Sequence, residues 1–353
     1  MLLLLVELCL GGLDVAFAAP PSSQVTSSPP TMVCSALDGI FAAFQAHPLV
    51  GMGDYHGLAQ EEDFYASLIR DKRFATDVGN VVVEFGDAAQ QDTLDHYLSG
   101  EDIQYDQLRK VWSDTVGWTP TVIGLGYLNF YAQVRAVNLE LPPEQRIHVW
   151  LGDPPADWSK IRTTEDIRRI PDRDQYPASV INSQILAKNR KALVIYGAFH
   201  LQGWKDLREY VEDIHPGAFF IVSPYTGFEQ TSCPQCFERA AQDWPFPALV
   251  TRFVKGMRND RSSVQGCQLK ELANVEQWLS DFSEDAKLYL GPAASLTTTQ
   301  ESPDLYLDLK FRAEIDRRTL LLTGNHLGPP TTPQVSPRYL HASSSVNGGA
   351  TKQ

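Results

Sequence analysis

The sequence has little positive charge, and what it has is not clustered. Its 353 residues include 30 Lys and Arg against 43 Asp and Glu, which gives a net charge of −13 at neutral pH. The densest basic spots are the pairs Arg168-Arg169 and Arg317-Arg318, which are typical of solvated helix faces. A surface that binds nucleic acid needs a basic stripe to neutralise phosphates. We therefore expect no nucleic acid partner.

Several common binding and catalytic motifs are also missing. The chain contains neither the G-x-G-x-x-G fingerprint nor a P-loop, which argues against the usual nucleotide sites. It contains no G-x-S-x-G elbow, so a serine hydrolase is disfavoured. No run approaches the roughly 18 apolar residues that a membrane-spanning helix needs. We therefore predict no transmembrane anchor.

The N-terminus lacks the positive charge of a typical leader, since the first Lys or Arg is Arg70. It is otherwise apolar and reaches Ala16-Phe17-Ala18, which fits a small-residue export cleavage site. We predict a signal peptide over residues 1–18 and an exported protein, periplasmic or secreted; a frayed cytosolic terminus is the alternative. Composition further predicts a disordered linker at 19–33, one domain at 34–327 and a disordered tail at 328–353.

Cysteine is scarce, with five in the chain. Cleavage after Ala18 would remove Cys9 and leave an even number, which permits disulfides in an exported chain. The remaining cysteines are Cys34, Cys233, Cys236 and Cys267. The C-x-x-C at Cys233 fits a local disulfide, half of a zinc site or a redox pair. Because no second C-x-x-C completes a zinc site, a disulfide or two unpaired thiols is favoured, and the pairing stays open.

Short apolar runs alternate with helical patterns along the middle of the chain. The runs are nearly continuously apolar, as expected for strands covered on both faces. This alternation predicts an α/β fold with a mainly parallel β-sheet flanked by helices on both faces. The predicted strands are 49–53, 80–86, 146–152, 191–197, 218–223 and 287–291. The predicted helices are 59–73, 88–113 with a break at Gly100, 121–138, 178–189, 204–213 and 271–281.

Titratable side chains follow three of these predicted strands. Asp54 and His56 follow the first, Glu84 ends the second, and His200 follows the fourth, both histidines standing in a G-x-x-H pattern. The carboxyl ends of parallel strands meet at one edge of a sheet, where open α/β folds build their sites. We therefore expect these side chains to line one cavity. A satisfied core or capping histidine is the alternative for each histidine.

Two imidazoles and a carboxylate support chemistry with or without a metal. His56, Glu84 and His200 could bind a divalent metal ion and leave a position for water. Without a metal, a histidine would activate water, Glu84 would act as acid, base or orienting group, and a cation would stabilise the oxyanion. Burial is expected to raise the pKa of Glu84 toward the range of a general base. Arg135 is the candidate cation, with a helix-surface position as the alternative.

A further carboxylate and a loop complete the predicted site. Asp153 directly follows the third predicted strand and is a supporting candidate, although capping the next helix would equally explain it. The segment 154–177, rich in Asp, Arg and Pro, is predicted to form a loop over the carboxyl edge of the sheet.

These motifs together resemble a known superfamily. Gly53-Asp54-Tyr55-His56-Gly57 with the following Glu61-Glu62, the strand that ends in Glu84, and Gly197-Ala198-Phe199-His200 are similar to motifs of the erythromycin esterases, the ChaN-like haem-uptake lipoproteins and the TIKI/TraB-type proteins. The resemblance covers about residues 45–225 and implies that His56, Glu84 and His200 form the centre. Asp54 stands where the esterases usually have Glu, and the lipobox of the lipoproteins is absent.

We predict a hydrolase-like enzyme that activates water on an ester or amide bond of a small-molecule or peptide substrate, with or without a divalent metal ion. The alternative is a ChaN-type protein that binds haem or another porphyrin without catalysis, for which Tyr55 beside His56 is a candidate axial ligand. A structural module with a degenerate site is a third hypothesis. The sequence indicates no function for residues 226–327.

Overall fold

The computed structural model describes residues 31–117, 124–227, 234–252, 268–270 and 284–323. The strands are β1 (Thr31–Ser35), β2 (Leu49–Asp54), β3 (Asn80–Asp87), β4 (His148–Asp153), β5 (Ala192–Gly197), β6 (Phe219–Pro224), β7 (Ala248–Arg252), β8 (Gln268–Lys270) and β9 (Ala286–Tyr289). The predicted signal peptide, the helix at 271–281 and the C-terminal tail lie outside the described residues.

The helices of the described residues surround these strands. They are α1 (Ala36–Ala46), α2 (Ala59–Arg70), α3 (Gln91–Ser99), α4 (Tyr105–Leu108), α5 (Lys110–Ser113), α6 (Leu125–Leu139), α7 (Thr164–Ile167), α8 (Gln175–Val180), α9 (Leu207–Glu212), α10 (Pro234–Ala241), α11 (Asp304–Leu307) and α12 (Leu309–Thr323). Single turns of π-helix or 3-10 helix connect several of them. Within the described ranges, none of the helices combines the length and apolar character that crossing a bilayer requires.

All strands belong to one sheet in the order β4-β3-β5-β2-β6-β9-β7-β1-β8. The first six in this order pair in parallel. They correspond to the six strands predicted from the sequence, and the expected α/β fold with a mainly parallel sheet is confirmed. Because β2, β3, β4 and β5 are parallel neighbours, their carboxyl ends meet at one edge.

Both faces of the parallel sheet are covered. Along β5, Leu193 and Ile195 pack into the larger apolar cluster with α1, α2, α3 and α6. Val194 and Tyr196, one residue out of phase, pack into a second cluster with the 178–185 segment and α9. Successive side chains of a strand point to opposite faces, so two covered faces require a continuous apolar run. This is why the strand segments read as unbroken hydrophobic stretches.

The remaining strands extend the sheet in antiparallel fashion and were missed by the sequence analysis. β7 pairs with β9 and with β1, and β1 pairs with β8, all antiparallel. Residues 31–33, which were expected in the linker, belong to β1, so the predicted start of the domain at residue 34 is too late. Cys34 in β1 forms a disulfide. The side chains of Cys233, Cys236 and Cys267 lie outside the described residues, as does Cys9.

Two predicted helices are divided into shorter pieces. The 88–113 helix consists of a 3-10 turn and then α3, α4 and α5, and Gly100 with φ 111° ends α3. Only glycine adopts such a conformation without strain, so the predicted break lies where the backbone requires it. The 178–189 helix runs from α8 through one π turn into a 3-10 turn.

Candidate active site

The site is built where four parallel strands end at the carboxyl edge of the sheet. Asp54 is the last residue of β2, Asp153 is the last residue of β4, and Glu84 lies near the end of β3. All three carboxylates are buried, with at most 4% of each residue exposed. The pairing of β3 with β4 is irregular between Val83 and Asp87, which includes Glu84. Such irregularities re-aim side chains next to functional sites.

Glu84 is the centre of this arrangement. The Nε2 atom of His56 lies 3.7 Å from Oε2 of Glu84, and the Nε2 atom of His200 lies 3.4 Å from Oε1. The backbone N–H of Gly197 donates a hydrogen bond of 2.7 Å to Oε2. The guanidinium of Arg173 donates to Oε1 at 2.5 Å. One buried carboxylate is therefore contacted by two imidazoles, a guanidinium and a backbone amide.

The Nδ1 atom of each histidine contacts an aspartate. The Nδ1 atom of His56 is 2.7 Å from Oδ2 of Asp54, and the Nδ1 atom of His200 is 2.5 Å from Oδ1 of Asp174. An aspartate on Nδ1 orients the ring and leaves Nε2 as the atom that exchanges protons with the site. The two Asp–His pairs thus present the same atom to opposite oxygens of Glu84.

Two buried tyrosines fix Asp54. Tyr65 of α2 donates to Oδ1 at 2.9 Å, and Tyr127 of α6 donates to Oδ2 at 2.5 Å. Burial and then the charge of Asp54 raise the pKa of both phenols well above the ordinary value. Both therefore remain protonated donors, and both oxygens of Asp54 are occupied without solvent.

Asp153 holds the arginine rather than capping a helix. Its Oδ1 atom accepts a 3.1 Å hydrogen bond from Nε of Arg173, and its Oδ2 atom accepts one from the backbone N–H of Val116. Burial raises the pKa of Asp153 to about 6, against the opposing effect of Arg173. Arg173 thus bridges Asp153 and Glu84, and the fork of its guanidinium suits two carboxylates at once.

The charges of the site differ from what burial alone would produce. Burial would lower the pKa of His56 and of His200, but their carboxylate neighbours raise both to about 9. Burial would likewise raise the pKa of Glu84, as expected from the sequence. The hydrogen bond from His200 and the charges of His56, His200 and Arg173 outweigh burial and hold this pKa well below its usual range. At neutral pH the centre is thus a carboxylate enclosed by cations.

Other carboxyl groups near Asp54 are neutral under the same conditions. Burial and then the charge of Asp54 raise the pKa of Glu62 to about 8 and that of Glu61 well above its ordinary value. Glu61 also accepts the backbone N–H of Tyr55 at 3.0 Å. These two carboxyl groups therefore need no cation beside them at neutral pH.

Two predicted site residues lie elsewhere. The guanidinium of Arg135 donates to backbone carbonyls at the end of α3, including those of Gly100 and Glu101 at 2.9 Å each. It therefore stabilises a helix C-terminus, which corrects its assignment as the cation of the site. Tyr55, the candidate haem ligand, is half-buried and packs against the larger apolar cluster.

The predicted metal ligands do not fit a metal ion as they are arranged. Among the described residues, no group of three or more His, Cys, Asp or Glu side chains has the geometry to hold one. His56, Glu84 and His200 contact each other, and Arg173 supplies the positive charge beside Glu84. A guanidinium within 2.5 Å of the shared carboxylate occupies the position that a cation would take.

Comparisons with known proteins found similar structures but no related sequence. No family model matches the chain, and no curated protein matches it significantly. The structure is similar to a mutant of the erythromycin esterase EreC in its open conformation, with a TM-score of 0.48, 11% identity and coverage of 76% of this chain and 98% of that chain. It is also similar to the type III effector HopBA1, with a TM-score of 0.40, 12% identity and coverage of 76% and 100%.

A third similar structure is ChaN of Campylobacter jejuni, which binds haem cofacially, with a TM-score of 0.36, 12% identity and coverage of 56% of this chain and 91% of that chain. Two of the three proteins belong to groups named by the sequence resemblance.

The sequence analysis missed the residues that the 154–177 loop contributes. Arg173 and the adjacent Asp174 contact Glu84 and His200 from this loop. The loop was expected over this edge of the sheet, and its run Asp172-Arg173-Asp174 was the available signal. Tyr65 and Tyr127 carried no comparable signal, because buried tyrosines in helices are most simply read as core residues.

Two strongly exposed aromatic side chains lie close to His200 in sequence. Phe199 is 84% exposed and Trp204 is 82% exposed. Phe199 belongs to the 3-10 turn that carries His200, and Trp204 follows it in a turn with positive φ at Gly203 and Lys205. The segment that carries His200 therefore leaves two large apolar rings in water.

Proposed function

We propose that the protein is a hydrolase that activates water for attack on an ester or amide bond at the Glu84 centre. The observation that carries this proposal is the convergence of two Asp-supported imidazoles on the two oxygens of one buried carboxylate. Pairs of titratable groups with pKa values pushed apart are characteristic of acid–base sites. Here Glu84 is held ionised while the imidazoles on either side of it hold their protons.

The roles follow from these charges. One imidazole, once it loses the Nε2 proton, takes a proton from water as the water attacks the carbonyl carbon. The other imidazole and Arg173 carry the positive charge that stabilises the oxyanion, and the protonated imidazole then donates its proton to the leaving group. Because both pKa values are about 9, we expect hydrolysis to increase from neutral pH toward about 9.

The exposed rings on the segment that carries His200 suggest the class of substrate. Phe199 and Trp204 offer apolar area that is not used in the fold. A substrate with an apolar or planar portion next to its scissile bond would cover them. We expect esters of longer acyl chains or aromatic acids to be better substrates than acetate esters.

A panel of p-nitrophenyl esters and amino-acid anilides assayed between neutral pH and about 9 tests the proposal. We expect turnover that Glu84→Gln, His56→Gln and His200→Gln each reduce by about 100-fold or more. Glu140→Gln, which removes an exposed carboxylate on another part of the chain, is the matched control and should retain activity. Full activity in Glu84→Gln would contradict the proposal.

The haem-binding alternative has a separate readout. Titration with haemin would give a Soret band that disappears in His56→Gln if this site binds haem. We expect no such band, because His56 is engaged by Asp54 and faces Glu84. A stoichiometric band together with no turnover would favour the alternative.

Export remains part of the proposal. The disulfide at Cys34 supports it, since disulfides persist in oxidising compartments and are rare in the cytosol. Expression of the full chain with a C-terminal tag in a bacterial host should yield a periplasmic product that begins after Ala18. A product retained in the cytosol with Met1 intact would contradict this part.

A further inference from the structure

A cavity lies apart from the Glu84 centre. Its volume is about 860 Å³, and none of the residues that contact Glu84 lines it. Its walls come mainly from three parts of the chain, namely the 105–114 helices, the 156–162 segment and helix α12, with Ala89 and Gln90 beside them. A cavity of this size falls within the range of small-molecule sites.

The lining of this cavity is basic although the protein is acidic. Six Lys or Arg and four Asp or Glu line it, while the whole chain has a net charge of −13. Each of the four carboxylates is already paired with a cation. The pairs are Asp106–Arg109, Asp114–Arg318, Asp157–Lys160 and Glu314–Arg317.

Three of the lining cations have no such partner. Lys110, Arg162 and Lys310 make no salt bridge with any carboxylate of the described residues. Each comes from a different wall of the cavity, and each is exposed. Arg162 is partly fixed, because its Nη1 atom donates to the carbonyls of Trp158 and Ile161 at 3.2 Å each. Among the described residues, these three cations thus line the cavity without a salt bridge to a carboxylate.

The arginines deeper in the wall are rigidly held. Arg318 is 8% exposed, pairs with Asp114 at 2.7 Å and lies 4.7 Å above the ring of Trp158. Arg109 lies 4.5 Å above the ring of Phe311 and pairs with Asp308 at 3.0 Å. These contacts fix the wall from which the unpaired cations extend, so the cavity is a preorganised basic pocket.

We propose that this basic pocket binds a small polyanion, a solute with several phosphate or carboxylate groups. Three unpaired cations from three walls suit a ligand whose charge is divided over more than one group. A concave pocket of about 860 Å³ with arginines fixed in its wall suits a small solute better than an extended polymer. The inference is independent of hydrolysis at Glu84. The two sites are connected by the 113–116 segment, since Ser113 and Asp114 line the pocket and the N–H of Val116 donates to Asp153.

Calorimetric titration of the full chain with pyrophosphate, tripolyphosphate and citrate tests the proposal. We expect one saturable site for at least one of these probes. Preference for the phosphates over citrate would identify a phosphate-bearing ligand, and the reverse would identify a polycarboxylate. Affinity should fall as salt rises, because screening weakens contacts to exposed charges.

Variants locate the binding. The double variant Lys110→Gln and Lys310→Gln should weaken binding by about tenfold or more, and adding Arg162→Gln should abolish it. Among the described residues none of these side chains makes a salt bridge, and Lys110 and Lys310 are exposed, so the double variant should fold as the unmodified chain does. The double variant Lys72→Gln and Lys188→Gln removes the same charge from exposed positions outside the pocket and should bind as the unmodified chain does. Absence of saturable binding for all three probes, or an equal loss in the control, would overturn the proposal.

Discussion

Glu84 is the residue on which the charges of the site depend. It is the carboxylate shared by His56, His200 and Arg173, and each of these groups helps to keep it ionised at a buried position. The effect is reciprocal, since the charge of Glu84 contributes to the raised pKa of both imidazoles. Coupled groups of this kind titrate as a unit, so a change at Glu84 is felt at both histidines.

Replacing Glu84 with Gln is expected to lower the pKa of both imidazoles from about 9, because the amide keeps the shape but removes the negative charge. NMR titration of the imidazole resonances measures this directly and needs no substrate. Glu140→Gln, at an exposed position, should leave both titrations unchanged. Unchanged imidazole pKa values in Glu84→Gln would show that the three groups do not interact.

Arg173 tests whether the site needs a fork-shaped cation. Its guanidinium contacts Asp153 and Glu84 with different nitrogen atoms, which a lysine ammonium cannot do with the same geometry. We expect Arg173→Lys to lower kcat by about tenfold or more while the protein stays folded. Arg168→Lys, an exposed arginine of the same loop, is the control. If Arg173→Lys keeps the kcat of the unmodified protein, the guanidinium is not required for catalysis.

At the scale of secondary structure, the turn after β5 determines how closely the groups approach. A Cβ atom at Gly197 would lie 2.7 Å from Nε2 of His56 and 3.2 Å from Oε2 of Glu84. The glycine therefore allows the imidazole to lie against the backbone, and its own N–H holds the carboxylate. Gly197 is required because a side chain would not fit there. This differs from a glycine that is required because its φ is positive.

Gly197→Ala is expected to displace His56 and to reduce activity by about tenfold or more while the sheet stays intact. Gly217→Ala is the matched control, because its Cβ would meet nothing within 4 Å although its φ of 71° makes the change unfavourable. The control should lose about 1 kcal/mol of stability and keep its imidazole pKa values. Equal effects of both variants on activity would mean that general destabilisation explains the loss.

The sequence predicted the strands well where helices bury both faces of the sheet, although most of these strands are not consecutive along the chain. The six parallel strands have continuous apolar runs, because both of their faces are buried by helices that follow in sequence. β1 and β7 are five residues each and pair only with each other and with distant strands. Their short segments carry no such continuous apolar run, and so no local pattern indicated them.

At the scale of the whole molecule, folding produces many protonated groups at neutral pH. The pKa values of His56 and His200 rise from 6.5 to about 9, and burial raises those of Glu62 and Asp87 to about 8. A folded chain that holds protons which the unfolded chain has released loses stability as pH rises. The stabilisation from the two histidines is complete below pH 6.5 and is lost as pH rises through about 9.

We therefore expect the free energy of unfolding to decrease between pH 6.5 and about 9, the interval set by the two histidines. Each proton retained by the folded chain contributes a slope of about 1.4 kcal/mol per pH unit. Urea unfolding at several pH values measures the slope, and the double variant His56→Gln and His200→Gln should flatten it. The lowered pKa of Glu84 gives the free energy of unfolding the opposite dependence on pH, but that contribution is lost only as pH falls below 4.5. A slope that is the same in the double variant would contradict the assignment.

The disulfide at Cys34 lies in the antiparallel part of the sheet. Its presence bears on whether the protein is exported. Reducing it is expected to lower stability by about 2–4 kcal/mol, because the unfolded chain gains freedom. Non-reducing peptide mapping identifies the partner, and unfolding with and without a reductant measures the effect. A free thiol at Cys34 in protein purified without a reductant would contradict the structure.

The sequence by itself determined the alternation of strands and helices and the residues that stand at the strand ends. Both are local properties, since apolar periodicity and the residue after a strand are read along the chain. The tertiary structure decided which groups contact Glu84. It brought Arg173 and Asp174 from a loop, directed Arg135 to the carbonyls at the end of α3, and lowered the pKa of Glu84, which burial alone would have raised. The physical reason is that the pKa of a buried carboxyl depends on charges within a few ångströms, and these come from segments far apart in sequence.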